Sequence, residues 1–312
     1  MKKLAFMFPG QGSQTVGMGK EVHDQYESVQ AMYEQANKVL DKDIRGLMFE
    51  GPKETLTETE NTQPALLLTS TVMYSLLQEA GVTPDMVVGH SLGEYSALVA
   101  GGSLTLETAL PLVAARGKLM EQAFPKGQGT MAAVLGLEQT AVEAVLAEIQ
   151  NEVVDIANLN CPGQIVISGS EQGVKQASAM LKDKGAKRVL PLNVSGPFHS
   201  RLMKAANDEF AAYLHKVEIN DARIPVYANV TAKPVKHSEE IKELLLKQLY
   251  SPVRFEESVR NMLEQGVDAF VEVGTGKVLS GLVKKISREV DIFAVQDLSS
   301  LEKFLSWYKE AR

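Results

Sequence analysis

Asp85-Met86-Val87-Val88-Gly89-His90-Ser91-Leu92-Gly93-Glu94-Tyr95-Ser96-Ala97-Leu98-Val99-Ala100-Gly101-Gly102 is the stretch from which the fold is read. A short apolar run leads into Gly89-His90-Ser91-Leu92-Gly93, which fits G-x-S-x-G. An apolar, helix-prone segment follows and stops at paired glycines. Strand, sharp turn bearing a serine, then helix is the order of a nucleophile elbow. The glycines are expected to let the chain turn tightly and hold Ser91 in a strained conformation. Ser91 then stands at a helix N-terminus, where free backbone N–H groups stabilise negative charge. An N-capping serine in a glycine-rich turn is the competing reading of this segment.

Outward from the elbow, the chain reads as α/β layers. Leu4–Phe8 is a buried strand that breaks at Pro9-Gly10-Gln11-Gly12-Ser13-Gln14, a glycine-rich loop of the kind that carries ligand sites in open α/β sheets. It is not a dinucleotide fingerprint, because Thr15 stands at the third glycine position. Residues 20–49 read as charged surface helices. Pro64 is expected to start a helix that Gly81 ends, with Ala65 to Leu77 buried under the sheet. A further helix runs from about Thr105 to Ala123, and Arg116 lies on its apolar stripe with Leu112, Val113, Leu119 and Met120. An inward arginine needs an anion, either a structural carboxylate or a ligand carboxylate gripped by the guanidinium fork.

Pro125-Lys126-Gly127-Gln128-Gly129 marks a boundary. Beyond it, strand 131–137, helix 138–150, strands 153–157 and 165–168, helix 171–184 and strand 188–194 spell the βαββαβ order of a ferredoxin-like unit. The turn Asn160-Cys161-Pro162-Gly163 joins its middle strands. The expected division is a catalytic core of residues 1–125 and 195–312 and an inserted subdomain of residues 126–194. Ser195-Gly196-Pro197-Phe198-His199-Ser200 closes the insert and precedes a helical segment to about Lys216. A helix N-terminus disfavours imidazolium, so His199 is placed as a neutral general base. His23, His215 and His237 read as surface residues, and His90 as an elbow-supporting one.

Strands are also expected at Ile224–Ala228, Ala269–Val273 and Ile292–Val295. Gly274-Thr275-Gly276-Lys277 lacks the glycine five residues before Gly276 and the following Ser/Thr, so it is no nucleotide loop. The net charge of −7 argues against nucleic acid, and the single cysteine, Cys161, excludes an internal disulfide. The basic-then-apolar stretch from Met1 is cut by Pro9-Gly10 too early for a signal peptide, and no uncharged run is long enough for a bilayer. A cytoplasmic protein is expected, with no membrane partner. No zinc spacing is present. Lys284, Lys285 and Arg288 form one basic cluster, and Lys184, Lys187 and Arg188 another.

Three segments together carry a family resemblance: Phe8-Pro9-Gly10-Gln11-Gly12-Ser13-Gln14, Gly89-His90-Ser91-Leu92-Gly93-Glu94, and Gly196-Pro197-Phe198-His199-Ser200. Arg116 and Gln248, in Gln248-Leu249-Tyr250-Ser251-Pro252-Val253, complete it. The chain resembles the malonyl-CoA:acyl carrier protein transacylases of fatty acid synthesis along essentially its whole length. The resemblance implies a hydrolase-like α/β core with a parallel sheet, interrupted by the ferredoxin-like insert. It implies that Ser91 attacks the malonyl-CoA thioester while His199 takes the proton, with Gln11 and Leu92 N–H groups as oxyanion hole. It implies that a backbone carbonyl near Gln248, in place of an aspartate, orients His199. Arg116 then pairs with the malonyl carboxylate, and Gln248, Phe198, Asn160 and His90 line the substrate site. No metal or prosthetic group is implied, since pantetheine belongs to the carrier protein. That carrier is acidic, so the clusters Lys284, Lys285, Arg288 and Lys187, Arg188 are candidate docking sites.

Two other readings use the same residues. A serine thioesterase or esterase needs an acid in the order Ser…Asp/Glu…His and has no use for an inward arginine. A non-catalytic acyl- or carrier-binding subunit needs the fold alone.

Overall fold

The computed structural model describes residues 2–311, so Met1, at the head of the basic-then-apolar stretch, and Arg312 lie outside it. Ten strands are present among the described residues: β1 Leu4–Phe8, β2 Met86–Gly89, β3 Gly129–Leu135, β4 Val154–Cys161, β5 Gln164–Ser170, β6 Arg188–Pro191, β7 Val226–Tyr227, β8 Pro234–Val235, β9 Ala269–Val273 and β10 Asp291–Val295. They form a six-stranded sheet, β10-β9-β1-β2-β7-β8, and a four-stranded sheet, β4-β5-β3-β6. The first is parallel except for β8, and the second is antiparallel. The α/β class is as expected.

β1 is buried at every position, as a strand covered on both faces must be. Its register sets Phe8 beside Gly89, so the loops after β1 and β2 leave the same sheet edge side by side. The helix Thr59–Glu79 lies against this sheet with Ala65 to Leu68 fully buried. It starts five residues before Pro64, contrary to the sequence reading. The missing proline N–H removes only the bond to Glu60 in the opening turn, while Asn61 and Thr62 N–H groups already bond the Glu58 carbonyl.

Other boundaries also differ. β7 is two residues long because Pro225 cannot donate to a ladder; its carbonyl instead accepts from Val87 N–H. Asn160 and Cys161 end β4, leaving Pro162-Gly163 as the turn. The segment after His199 opens as a short 3-10 helix, Arg201–Ala206, before the α-helix Asn207–His215. His23 is not a free surface residue: its ring packs against Tyr33 and Phe49, with centroids 5.2 and 5.0 Å away.

In the second sheet, Val134, Val142, Val145, Ile167, Ala177 and Leu181 form a separate core between strands and helices. β4 also reaches the first unit. Val253 N–H donates to the Ala157 carbonyl at 2.8 Å, and Leu159 N–H to the Val253 carbonyl at 2.9 Å. These bonds seat the second sheet beside the segment that follows Gln248, the last residue of the helix Ser238–Gln248.

Candidate active site

The elbow forms where β2 ends. Ser91 has φ of 53°, a left-handed conformation that costs a non-glycine residue about 1 kcal/mol. The strain expected at Ser91 is present, and the flanking glycines allow it by packing closely. A Cβ at Gly89 would stand 1.9 Å from the Gly93 main chain, and one at Gly93 would stand 2.0 Å from the Phe8 carbonyl oxygen. The motif needs glycine for close packing of strand, turn and helix. Asn229 clamps the turn: its Oδ1 accepts from Ser91 N–H at 2.9 Å and its Nδ2 donates to the Gly89 carbonyl at 2.6 Å.

Ser91 Oγ lies 2.8 Å from His199 Nε2. His199 Nδ1 lies 2.9 Å from the Gln248 main-chain carbonyl. A carbonyl only accepts, so Nδ1 carries the proton, and Nε2 offers its lone pair to the serine hydroxyl. Burial, with the Arg116 charge as the next cause, pushes the His199 pKa down to about 3.

Arg116 is fully buried in the helix Leu106–Gln122. Its Nη1 donates to Gln63 Oε1 at 2.8 Å, and its Nη2 donates to Gln248 Oε1 at 2.9 Å and to Ser91 Oγ at 3.2 Å. Its guanidinium sits 5.3 Å from the Tyr95 ring centre, and Nε has no partner. Among the described residues no carboxylate pairs with it. Only neutral groups bond it directly, with the Glu94 carboxyl beyond Gln248, and a buried cation so held beside a nucleophile is set up to receive an anion.

The N–H groups of Gln11 and Leu92 have no acceptor among the described residues. They stand on the adjacent loops after β1 and β2, and Gly10 packs so closely on His90 that a Cβ there would meet its carbonyl at 2.4 Å. An open groove of about 520 Å³ is lined by His199, Arg201, Tyr250, Pro252, Asp155 and Ile156.

His90 Nε2 lies 2.8 Å from Asn160 Oδ1, which joins the elbow to the second sheet; Asn160 stands on β4, not in a loop. Phe198 is buried beside His199. Lys284 and Lys285, from the end of the helix Val278–Ile286, line an open groove of about 980 Å³ with Arg288. Lys187 and Arg188 are exposed, and the Lys187 stem covers Gly136, which adjoins Gly163. Burial pushes the Cys161 thiol up, with the Lys285 charge acting in the opposite direction. Among the described residues no group of three or more His, Cys, Asp or Glu is placed to hold a metal ion, and no helix is long and apolar enough to cross a membrane.

Asn229, Gln63 and Glu94 were not singled out from the sequence. Asn229 had a readable signal, a polar residue directly after the apolar run Val226-Tyr227-Ala228, at the sheet edge where α/β ligands bind.

The family model described as acyl transferase domain matches residues 5–303. The chain belongs to this acyl transferase family. Among acyl transferases, it is 49% identical over 312 residues to the malonyl CoA-acyl carrier protein transacylase of Bacillus subtilis (strain 168), covering 99% of this chain and 98% of that one. The acyl carrier protein S-malonyltransferase structure from Vibrio cholerae superposes with a TM-score of 0.95 at 45% identity, covering 97% and 99%. A malonyl-transacylase solved in complex with its type II PKS acyl-carrier protein does so with 0.95 at 42% identity, also covering 97% and 99%.

Proposed function

We propose that the chain transfers malonyl from malonyl-CoA to the pantetheine thiol of acyl carrier protein through a malonyl-Ser91 intermediate, supplying extender units for fatty acid synthesis. In this reading the catalytic core is residues 1–125 and 195–312, with residues 126–194 as the inserted subdomain. Ser91 Oγ–H gives its proton to His199 Nε2 as the oxygen attacks the thioester carbonyl. The Gln11 and Leu92 N–H groups stabilise the oxyanion, a contribution often of about 3 kcal/mol. CoA thiolate leaves with the proton from His199. The carrier thiol then repeats the steps in reverse, a ping-pong cycle. His199 becomes cationic only transiently, and the Gln248 carbonyl keeps it aligned. Gln248 serves as a positioning residue, Phe198 and Asn160 bound the acyl pocket, and His90 braces Asn160. The cycle uses only these side chains and backbone groups, in a cytoplasmic setting.

The observation that carries this reading is Arg116, a buried cation without a carboxylate partner, donating to the nucleophile at 3.2 Å. A thioesterase is disfavoured because a main-chain carbonyl, not an acid, holds His199. Arg116→Ala should lower kcat/KM for malonyl-CoA by about 10²- to 10³-fold, the loss expected when one partner of a buried charge pair is removed. Acetyl-CoA has no carboxylate to lose, so its transfer should change far less. Equal losses for the two donors contradict a carboxylate-binding arginine.

The acidic carrier docks, in this reading, on one of the two basic clusters, Lys284, Lys285, Arg288 or Lys187, Arg188. Replacing Lys284, Lys285 and Arg288 together by alanine should raise KM for carrier protein by about tenfold at low salt, because steering by exposed charge is screened as salt rises. Acylation of Ser91 by malonyl-CoA should stay within about twofold, since these charges lie outside the reacting atoms. An unchanged carrier KM at low salt removes this patch.

A further inference from the structure

We propose that Glu94 is the positioning residue for malonyl selection, one carboxylate oxygen anchoring the two residues that set Ser91, His199 and Arg116. Glu94 lies in the first turn of the elbow helix, Gly93–Ala100, and is 2% exposed. Its Oε2 accepts from Asn229 N–H at 3.0 Å and from Gln248 Nε2 at 2.8 Å. Asn229 holds Ser91 N–H, and the Gln248 main chain holds His199. The Gln248 side chain holds Arg116 through Oε1.

The chemistry of an amide makes this arrangement directional. Gln248 has a donor end and an acceptor end, whereas a carboxylate oxygen accepts. Glu94 therefore draws Nε2 toward itself and leaves Oε1 for the guanidinium. The Ser91 carbonyl and Asn229 Oδ1 also accept from Nε2, at 3.0 and 3.1 Å, and Glu94 fixes Asn229 through its N–H. A turned amide would set donor against donor at Arg116, where both side chains are fully buried. The guanidinium would then leave Ser91 and the place where the malonyl carboxylate must sit. Burial pushes the Glu94 carboxyl up to about 7, while the bonds from Asn229 and Gln248 and the Arg116 charge pull it back down.

This inference rests on the transacylase reading. Glu94→Met keeps the chain length and removes the acceptor, whereas Glu94→Gln keeps an acceptor without the charge. Each purified variant and the wild type are assayed with malonyl-CoA and acetyl-CoA, after circular dichroism confirms folding. The malonyl-over-acetyl ratio of kcat/KM should fall at least about tenfold in Glu94→Met and stay within about threefold in Glu94→Gln. Equal loss on both donors in Glu94→Met, or a Glu94→Gln ratio as poor as that of Glu94→Met, overturns the proposal. If Glu94→Met does not fold, Glu94→Asp, which withdraws the oxygen by one methylene, takes its place with the same expected loss. A wild type that transfers no malonyl group is a different result: it refutes the transacylase reading, and this inference with it.

Discussion

Replacing Ser91 by alanine should lower malonyl transfer by about 10⁴-fold or more, the scale seen when the nucleophile of a serine–base pair is removed. The oxygen that attacks the thioester is gone, and among the described residues no other hydroxyl pairs with His199. Binding should survive the change. Arg116 keeps its bonds to Gln63 and Gln248, and the Gln11 and Leu92 N–H groups stay in place. Malonyl-CoA should therefore bind the variant within about fivefold of the wild-type affinity while no turnover follows, because ground-state contacts are retained and only the transition state is lost. The backbone should also hold, since alanine meets the same left-handed conformation that Ser91 adopts at φ of 53°. Steady-state transfer assays with isothermal titration of the same samples separate these two effects. Loss of binding in step with loss of rate contradicts the assignment of Ser91 as the nucleophile alone.

His199→Ala should cost about 10³- to 10⁴-fold in kcat, because Ser91 then has no base to take its proton and CoA leaves without one. The wild-type pH profile should carry a distinctive mark. His199 is pushed from its usual 6.5 down to about 3 by burial and by Arg116. The base is neutral above that value, so kcat/KM should not show a histidine limb at pH 6.5; the limb belongs well below, toward pH 3. A clear acid limb at pH 6.5 that vanishes in His199→Ala contradicts the buried neutral ring. The same shift is linked to stability. As the pH falls, the unfolded chain takes up the proton first, so the contribution of His199 to stability is present above pH 6.5 and is lost progressively toward about 3.

The residues that could be read in advance are those whose signal is local. G-x-S-x-G sits between an apolar run and a helix, and that order names Ser91 without any tertiary information. Arg116 could be placed on an inward face because a helical stripe is periodic. His199 stood out through its Gly/Pro-shaped loop, although its neutrality comes from packing that no spacing records. The helix begins at Thr59 rather than at Pro64, because proline is a start signal only on average and here costs one opening bond. Asn229, Gln63 and Glu94 escaped for a different reason. Their roles depend on contacts between segments far apart in sequence, such as Asn229 with Glu94, 135 residues away. Nothing in the neighbourhood of each residue states which partner it will meet. Gln248 shows the same limit from the other side: its position matched a family pattern, but its double duty toward His199 and Arg116 needed the fold.

The central claim is an acyl-enzyme on Ser91, and intact mass after brief incubation with malonyl-CoA and an acid quench tests it most directly. A gain of one malonyl group in the wild type, absent from Ser91→Ala and discharged on adding the thiol-bearing carrier protein, is the expected result. An adduct that persists in Ser91→Ala contradicts the account, as does CoA release with no adduct and free malonate as the product.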